Sequence, residues 1–517
     1  MKAPKIYIRE KGRRIPVGAG QGTYEGSEIC LDGSVLWVRA AECAVRQIEL
    51  AWEFEIPADA RLLADQWERG YGQLGWRAPI PDAVMPWYFL VWMNERTYCF
   101  GVKTDTNALC WWQADGRQVS LFADISCGNA PTRLDGRPLR VCEVLMETAE
   151  GDPFETACTF CRHMCPAPRL PQGVVYGGND WYCNYGDSSY EKIITHTKRI
   201  VECSPENGPR PYMVIDDGWE LCHHPVHSEK EFFNGGPWQY CNRNFGDMKK
   251  LAAEITQIGA IPGIWFRPLW TTEKFPERYI LKYGEMKYTL DPSVPEVLEI
   301  VRQDVSCLRN WGYRLIKHDF STFDLFGKWG ADPRAFPNLD VTFADRTKTT
   351  AQIIRTLYQT IREAAGEDVL IIGCNTLSHL SAGIFEIQRT GDDTSGLEWK
   401  RTKTMGINTL AFRMCQHGAF YACDADCVGI TRHISWETNR KWLDVLSKSG
   451  TPLFVSIGED AYSDRVKVDI RSAFARAAVN LTPSRPLDWM ESGTPTRWRS
   501  AFGTESYDWE ESTVNEV

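Results

Sequence analysis

The sequence predicts an α/β protein: a (β/α)8 TIM barrel preceded by an N-terminal antiparallel β-sandwich domain and followed by a short C-terminal element. Two observations support this prediction. Short aromatic runs broken by Gly, Pro and Asp fill the first part of the chain, and longer apolar runs then alternate with amphipathic segments. We place the domains at residues 1–168, 169–480 and 481–517. A chain of 517 residues with 43% hydrophobic content can bury cores of this size.

The N-terminal part of the chain has the pattern of many short strands. Runs such as SVLWVRA, QIELAWEFEI, PWYFLVWMN and TYCFGVKT alternate in polarity or are rich in aromatic residues, and turn residues separate them. This spacing is typical of an antiparallel sandwich. At the other end of the chain, Trp489, Trp498 and Trp509 stand among Thr, Ser, Asp and Glu, which indicates a short appended element.

From about residue 173 onward, eight apolar runs alternate with helical patterns, as eight βα units require. The strand candidates are GVVYGGNDW, RPYMVIDDGW, AIPGIWFRP, YRLIKHDF, DVLIIGCN, AGIFEIQRTGDD, GAFYACDAD and PLFVSIGED. Helical patterns such as DMKKLAAEITQIG, SVPEVLEIVRQDVSCLRNWG and TKTTAQIIRTLYQTIREAAG lie between them. Several open with Asp or Ser and close with Gly, the residues that cap helices.

Charge and composition exclude several classes of function. The formal net charge is -10 and no basic run occurs, which argues against a nucleic-acid partner because such binding uses clustered Lys and Arg. The stretch MKAPKIYIREKGRR lacks the apolar core of a signal peptide, and no run of about 18 apolar residues follows. We therefore expect no membrane partner and a cytoplasmic protein.

The 18 cysteines are spread over the chain, and we expect reduced, mostly buried thiols. Cys158, Cys161 and Cys165 in CTFCRHMC have a spacing that would allow zinc binding, but a fourth ligand is not evident. The same spacing marks the inner face of a helix, which we favour. The histidines at 223, 224 and 227 in CHHPVH also lack a spaced partner, so we interpret them as a polar loop. The sequence predicts no metal and no cofactor.

Polar and aromatic residues collect where the predicted strands end, and in a barrel the loops there converge on one functional mouth. They are Asp180, Trp181, Asp216, Asp217, Trp219, Trp265, Arg267, Lys317, Asp319, Cys374, Asn375, Arg389, Asp392, Asp393, Asp424 and Asp426. About half of such Asp residues in an arbitrary barrel would only cap the next helix. Asp319 differs, since strand alternation puts it with Lys317 on the face opposite His318, so both point toward the barrel axis.

Tryptophans are the second feature of the predicted mouth. Trp181, Trp219, Trp265 and Trp270 lie at or just beyond strand ends. Aromatic rings stack on the C–H face of a pyranose while Asp or Lys side chains bind its hydroxyl groups. Core packing explains any one of these tryptophans equally well, but together with the carboxylates they favour a carbohydrate ligand.

Three motifs resemble the α-galactosidase clan, and glycoside hydrolase family 36 in particular. YMVIDDGWE is similar to the Asp-Asp-Gly-Trp signature of the second strand. NRNFGDMKKLAAEITQIGAIPGIWFRP, followed by LDPSVPEVLEIVRQDV, resembles the third strand with its flanking helices. YRLIKHDF resembles the Lys-x-Asp block that holds the nucleophile. The resemblance spans about residues 174–400, and the preceding part matches only in its position as a β-sandwich.

The resemblance implies a retaining α-glycosidase, α-galactosidase-like, that acts through a covalent glycosyl-aspartate and releases a terminal sugar. It implies Asp319 as nucleophile and Asp392 as acid/base, with Asp393 as the alternative for the second role. Substrate-binding positions would be Asp216, Asp217, Lys317, Trp181, Trp265, Arg267, Cys374, Arg389 and Asp393. An oligosaccharide or glycoside is the expected partner, and a homo-oligomer is left open.

The chemistry of the residues agrees with these roles. A retaining enzyme needs an ionised carboxylate and a protonated one about 5–5.5 Å apart. Lys317 beside Asp319 should favour the charged nucleophile, because a nearby cation lowers a carboxyl pKa. Asp393 and Asp319 should keep a proton on Asp392, because like charges raise its pKa.

Several positions depart from the family pattern. His318 stands where Trp commonly precedes the nucleophile, and Arg267 stands where Glu usually precedes Pro268. NTLSHL replaces a glycine-rich stretch after Cys374, and Ser395 replaces a third acidic residue. These changes leave galactose favoured, with N-acetylgalactosamine or another hexose open. Arg267 would bind an anionic substituent or, as we favour, pair with a neighbouring Asp.

Other functions fit part of the pattern. A raffinose-synthase-type glycosyltransferase would use the same covalent intermediate and pass the sugar to an acceptor instead of water. A non-catalytic carbohydrate-binding barrel is disfavoured, because both candidate carboxylates are present. A metal-dependent hydrolase is weaker still, since the strand ends lack His pairs.

Overall fold

The computed structural model describes residues 2–223, 233–283, 288–332, 334 and 340–511. Its N-terminal part is built from thirteen strands. They are β1 (Lys5–Glu10), β2 (Arg13–Ala19), β3 (Gln21–Tyr24), β4 (Ser27–Asp32), β5 (Val35–Ala40), β6 (Gln47–Glu53), β7 (Arg61–Ala64), β8 (Met85–Pro86), β9 (Tyr88–Met93), β10 (Arg96–Val102), β11 (Leu109–Ala114), β12 (Gln118–Asp124) and β13 (Leu139–Glu150). The four predicted runs correspond to β5, β6, β9 and β10.

These strands form one antiparallel sheet in the order β7-β9-β10-β13-β5-β4-β3-β2-β1-β6-β12-β11-β8. Strands from the two ends of this order meet through aromatic side chains. The ring centroids of Phe89 on β9 and Phe100 on β10 lie 6.0 and 5.9 Å from that of Trp112 on β11. The sheet therefore folds back on itself over an aromatic core.

A second large sheet follows, and its strands are parallel. The strands of this region are β14 (Tyr176–Asn179), β15 (Tyr212–Ile215), β16 (Ile261–Phe266), β17 (Lys282–Tyr283), β18 (Leu315–His318), β19 (Val341–Thr342), β20 (Leu370–Gly373), β21 (Ile387–Arg389), β22 (Ala422–Asp424), β23 (Cys427–Ile430) and β24 (Leu453–Ile457). Strands β17 and β19 pair separately. Each of the eight predicted runs contains a strand of the parallel sheet.

The strand order of the parallel sheet is β22-β21-β20-β18-β16-β15-β14-β24-β23. Its two edges, β22 and β23, are consecutive in the chain and are separated by Ala425 and Asp426. Asp426 has a φ of 70°, a left-handed conformation that interrupts an extended strand. The seventh predicted run contains β22 alone, and β23 follows it directly as an additional strand, so both edges of the sheet belong to one short segment.

Helices connect the parallel strands. They are α1 (Pro153–Met164), α2 (Trp181–Asn184), α3 (Tyr190–Cys203), α4 (Met248–Ile258), α5 (Pro295–Trp311), α6 (Ser321–Phe326), α7 (Thr350–Ala365), α8 (Ser378–Ser381), α9 (Trp399–Thr402), α10 (Thr409–Arg413), α11 (Trp436–Lys448) and α12 (Asp464–Ala477). The predicted Asp cap is present, since Asp247 accepts from the Lys250 N–H, and Thr349 with Gln352 forms a capping box. Ser293 does not cap α5, whose N-cap residue is Val294. Within the described part of the chain, no helix combines the length and apolarity needed to cross a membrane.

Strand alternation places the polar residues of interest. Side chains of one face form a small buried cluster of Val175, Tyr182, Val214, Leu315, Ile372, Ile387, Ala422, Cys427 and Phe454. Two residues beyond Val214 and Leu315, the same face presents Asp216 and Lys317. The face expected for Lys317 is therefore confirmed.

The C-terminal residues form a three-stranded antiparallel sheet of β25 (Arg485–Pro486), β26 (Arg497–Ser500) and β27 (Gly503–Ser506). Trp489 anchors this segment, since its ring centroid lies 5.5 Å from that of Trp76 and 5.1 Å from that of Phe154. The appended element therefore packs against the N-terminal part of the chain.

Candidate active site

Lys317 and Asp216 form an ion pair at the carboxyl ends of β18 and β15. Lys317 Nζ lies 2.7 Å from Asp216 Oδ2, and both side chains are buried. The backbone N–H of Asp216 also donates to Asp180 Oδ1 at 2.8 Å, and Asn179 donates to Asp216. The direct partner of Lys317 is therefore Asp216, whereas the sequence led us to expect Asp319.

Asp319, directly after β18, is held by two donors. Trp265 Nε1 donates to Asp319 Oδ2 at 3.1 Å, and the Phe320 N–H donates to Asp319 Oδ1 at 2.8 Å. Burial lowers the pKa of Lys317, but Asp216, Cys374 and Asp319 together raise it well above its usual value. Lys317 is thus a permanent cation within the electrostatic reach of Asp319, although it does not pair with it directly.

Asp392 and Asp393 lie among arginines. Arg69 Nη2 is 2.9 Å from Asp392 Oδ1, and Arg401 Nη2 is 2.6 Å from Asp392 Oδ2. Asp393 Oδ1 is 3.4 Å from Arg69 Nη1 and 3.3 Å from Arg389 Nη2. Arg69 therefore contacts both carboxylates.

This arrangement corrects the electrostatic argument made from the sequence. We expected like charges to keep Asp392 protonated, but its carboxylate sits between two guanidinium groups. For Asp393, burial acts to raise the pKa, yet Arg69, Arg389 and Lys317 lower it to about 2. The expectation for Asp392 rested on the neighbouring aspartates alone and left out the arginines that the fold brings to them.

Sequence reasoning missed Arg69 and its neighbours Glu68 and Tyr71. They belong to WERGYG, a loop after β7 that extends from the N-terminal sheet to the ends of β20 and β21. The Gly70 N–H donates to the Thr390 carbonyl at 2.9 Å, and the Asp392 N–H donates to the Gly70 carbonyl at 2.7 Å. The sequence feature that could have indicated this loop is the pair of charged residues Glu68 and Arg69, which interrupts a region rich in predicted strands.

Cys374, after β20, lies between the two arginines. Its Sγ accepts from Arg69 Nη1 at 3.1 Å and from Arg389 Nη1 at 3.4 Å. Burial and Asp319 raise the pKa of the Cys374 thiol, which keeps it neutral. Arg389 in turn is 2.9 Å from Asp426 Oδ2. Cys374 thus lies at the centre of the group of charges at the ends of β18, β20 and β21.

Arg267 is occupied by protein partners. Its Nε lies 3.2 and 3.1 Å from the two carboxylate oxygens of Asp324, and its Nη1 donates to Asn234. The guanidinium also lies 4.1 Å from the ring centroid of Phe320. The structure favours the pairing with a neighbouring Asp over an anionic substrate group.

The tryptophans near the mouth differ in exposure. Trp219 and Trp265 are 0% and 1% exposed, and Trp219 Nε1 donates to the Trp265 carbonyl at 3.0 Å. Trp181 is half-buried at the start of α2, with its ring 5.6 Å from that of Tyr185. Trp270 packs on Arg267. Trp219 is therefore buried away from any ligand, whereas Trp181 is partly exposed.

Asp217 belongs to a cluster with Glu220 and His223, in which one ligand-type atom of each residue lies within 4.8 Å of the others. His223 Nδ1 is 2.8 Å from Glu220 Oε1 and 3.4 Å from Asp217 Oδ1. Burial opposes it, but these hydrogen bonds raise the pKa of His223 to about 10, so the imidazolium donates to the two carboxylates. His224 and His227 lie outside the described residues.

The cysteines of CTFCRHMC lie on or next to α1. Cys161 and Cys165 are buried and Cys158 is half-buried. Burial raises the pKa of all three thiols, so they are neutral. In the described ranges, Asp217, Glu220 and His223 are the group with metal-ligand proximity, and these cysteines are not part of one. The helix-face interpretation is therefore favoured over zinc.

Solved structures with the same fold include α-galactosidases. TtGalA from Thermus thermophilus, in complex with p-nitrophenyl α-D-galactopyranoside, is 17% identical over 98% of this chain and 98% of its own, with a TM-score of 0.62. A family 36 α-galactosidase AgaA variant from Geobacillus stearothermophilus, in complex with raffinose, is 14% identical over 97% of this chain and 79% of its own, with a TM-score of 0.62.

The galactosidase domain of the α-galactosidase-sucrose kinase AgaSK is 14% identical over 92% of this chain and 74% of its own, with a TM-score of 0.59. No protein-family model matches the sequence. At these identities the likeness establishes the fold. Structural neighbours from glycoside hydrolase family 36 agree with the resemblance seen in the three sequence motifs.

Proposed function

We propose that the protein is a retaining α-glycosidase of the family 36 type that releases a terminal sugar, with α-galactosides as the first candidate substrates. The observation that carries this proposal is the set of carboxylates at the carboxyl ends of parallel strands: Asp216, Asp319, Asp392 and Asp393 surround Lys317, Cys374 and Arg69. The shared fold with α-galactosidases supports it.

Asp319 is the proposed nucleophile. Its two carboxylate oxygens accept from Trp265 and from the Phe320 backbone, which fixes the orientation of the carboxylate. A carboxylate held in this way attacks the anomeric carbon and forms the covalent glycosyl-aspartate. Trp265 is then a positioning residue for the nucleophile and not a stacking surface.

Asp392 is the proposed acid/base, and Asp393 is the alternative. Both carboxylates contact Arg69 in the free protein. An acid must carry a proton when the leaving oxygen departs, so the arginine contacts have to loosen when substrate enters. Once the sugar is attached to Asp319, the same carboxylate removes a proton from water.

The proposed sugar subsite uses the remaining strand-end residues. Asp216, Asp217 and Lys317 offer acceptors and donors for hydroxyl groups, and Trp181 offers a partly exposed ring. Cys374 and Arg389 complete the wall between β20 and β21. Paired with the Lys317 ammonium and the His223 imidazolium, the Asp216 and Asp217 carboxylates accept hydrogen bonds from sugar hydroxyl groups.

We also infer the finer architecture. The parallel sheet closes as the predicted (β/α)8 barrel, because its edge strands β22 and β23 belong to one segment. The contacts between β9, β10 and β11 support the predicted sandwich. The domains remain placed at 1–168, 169–480 and 481–517.

The test is turnover of a panel of aryl α-glycosides by the wild type and by Asp319→Asn. We expect one α-glycoside to be cleaved with retention of configuration, observed by NMR, and at least a roughly 10³-fold loss of kcat in Asp319→Asn. Azide should restore turnover of an activated substrate in Asp392→Ala or in Asp393→Ala, which identifies the acid/base. Full activity of Asp319→Asn would contradict the assignment.

A further inference from the structure

A cavity of about 350 Å³ lies between the loop after β7 and the residues after α6, and one of its lining residues, Arg69, contacts the candidate catalytic aspartates Asp392 and Asp393. Glu68, Arg69 and Tyr71 line it, together with aliphatic side chains that include Ile80 and Val84. We propose that this cavity binds the aglycone of the α-glycoside substrate, and that the aglycone is an apolar aryl or alkyl group. The proposal rests on the proposed function and names the substrate class within it.

Arg69 connects the cavity to the chemistry. It lines the cavity, and its Nη2 is 2.9 Å from Asp392 Oδ1. In a glycosidase, the leaving group lies beside the acid/base because it receives its proton from that residue. Asp393, the alternative acid/base, also contacts Arg69. The cavity therefore borders the side of the site from which the leaving group departs.

An aromatic wall extends from the nucleophile to the cavity. The ring centroids of Phe320 and Phe323 each lie 4.7 Å from that of Trp329, and the Arg69 guanidinium lies 5.1 Å from the Trp329 ring. Phe320 follows Asp319 and has a φ of 63°, a left-handed conformation that is unfavourable for a non-glycine residue and that clusters at functional sites. Trp329 is 40% exposed and precedes Gly330, which lines the cavity.

Two polar side chains of the cavity already bond within the protein, which leaves fewer partners for a second sugar. Asp65 accepts from Arg413 at 2.7 Å, and Gln66 accepts from the Tyr71 N–H at 2.9 Å. Glu68 Oε1 is buried without a hydrogen-bond partner among the described residues, and burial raises the pKa of Glu68 to about 8. A sugar needs many polar partners, whereas an apolar group with one polar atom needs few.

The experiment compares three α-galactosides: the fluoride, which has no aglycone to bind, the octyl glycoside and raffinose. We expect the wild type to give a kcat/KM for the octyl glycoside at least about tenfold above that for raffinose. In Trp329→Ala and Ile80→Lys, the ratio of kcat/KM for octyl glycoside to that for fluoride should fall about tenfold. Both side chains are substantially exposed, so the variants should fold.

Phe502→Ala and Val468→Lys are the matched controls, since these residues are similarly exposed and do not line the cavity. They should keep the wild-type ratio. An unchanged ratio in Trp329→Ala and Ile80→Lys, or raffinose cleaved as well as the octyl glycoside, overturns the proposal and leaves the glycosidase function standing. Absence of fluoride turnover by the wild type overturns the proposed function, and this inference with it.

Discussion

His318 precedes the candidate nucleophile but faces away from the site. Its side chain is fully buried, with ring centroids 5.6 Å from Tyr358 and 5.5 Å from Phe385. Neither ring nitrogen has a hydrogen-bond partner among the described residues. Burial lowers the pKa of His318 to about 3, so the imidazole is neutral. Its departure from the Trp of the family pattern affects packing behind β18 and not the candidate site.

His318→Phe should remove a pH-dependent loss of stability. Because the folded-state pKa is about 3 and the unfolded value is about 6.5, the unfolded chain binds a proton first as the pH falls. The free energy of unfolding of the wild type should therefore drop between pH 6.5 and 4, and less so in the variant. At pH 7 the variant should gain about 1–3 kcal/mol, since two unpartnered nitrogens are removed.

Urea unfolding at pH 7, 5.5 and 4.5 measures this effect. The exposed His433 is the control position, and His433→Phe should follow the wild-type pH dependence. The change in the free energy of unfolding with pH is decisive, because a slightly larger ring at position 318 can shift the absolute stability. Equal slopes for wild type and His318→Phe would contradict the account.

At the scale of elements, the loop after β7 acts as part of the mouth of the parallel sheet. Besides the backbone bonds of Gly70, the Asn375 amide donates to Tyr71 Oη at 3.0 Å and to Glu68. Asn375 stands in the stretch that replaces the glycine-rich family segment. The segment after Cys374, which departs from the family pattern, thus contacts the loop after β7, which the N-terminal sheet supplies.

Arg69→Ala should alter catalysis in a pH-dependent way. Removing the guanidinium raises the pKa of Asp393 toward its usual value and frees Asp392, so the alkaline limb of the kcat/KM profile should move to higher pH. With both carboxylates less well positioned, kcat should fall by about 10²-fold or more. Steady-state kinetics across pH, with the α-glycoside that the substrate panel identifies, measure both the pH profile and kcat.

Arg69→Lys is the conservative variant. It should reverse part of the pH shift and part of the kcat loss seen in Arg69→Ala, since lysine restores the charge without the planar, bidentate geometry of arginine. Arg401→Ala is the matched comparison, because Arg401 contacts Asp392 from a side chain that is 40% exposed and more screened by water. A uniform loss of kcat with an unmoved pH profile in Arg69→Ala would assign Arg69 a purely structural role.

At the scale of the whole molecule, a buried ion pair joins the N-terminal sheet to the parallel-sheet part of the chain. Arg413, at the end of α10, donates to Asp65 Oδ1 at 3.0 and 2.7 Å, and Gln416 donates to Asp65 Oδ2 at 2.9 Å. Arg413 also donates to the carbonyl oxygens of Glu68 and Thr390. These bonds fix the loop that carries Arg69 against β21.

Arg413→Met should lower the free energy of unfolding by about 3–5 kcal/mol, because it leaves the buried Asp65 carboxylate without its cation. Arg96→Met is the control: Arg96 pairs with Glu150 at the surface, and its loss should change stability by no more than about 1 kcal/mol. Thermal and urea unfolding of both variants provide the comparison. A similar small effect in both would contradict the role given to Arg413.

The sequence by itself determined the order of the elements and the faces of the strands. A side-chain period of two fixes which residues point together, so strand alternation alone is enough to place Lys317 and Asp319 on one face opposite His318. Parallel strands end at one edge, so the polar residues after β15, β18, β20 and β21 could be expected at one mouth. These properties are local and need no knowledge of distant partners.

Only the tertiary structure decided which side chains pair across the mouth. Lys317 pairs with Asp216, 101 residues away, and Arg69 reaches Cys374 from 305 residues away. No local period encodes such contacts, because they depend on how one sheet docks against the ends of another. For the same reason, the motif that contains Asp392 and Asp393 does not predict the arginine beside them or the cavity that Arg69 lines. Both depend on the docked loop.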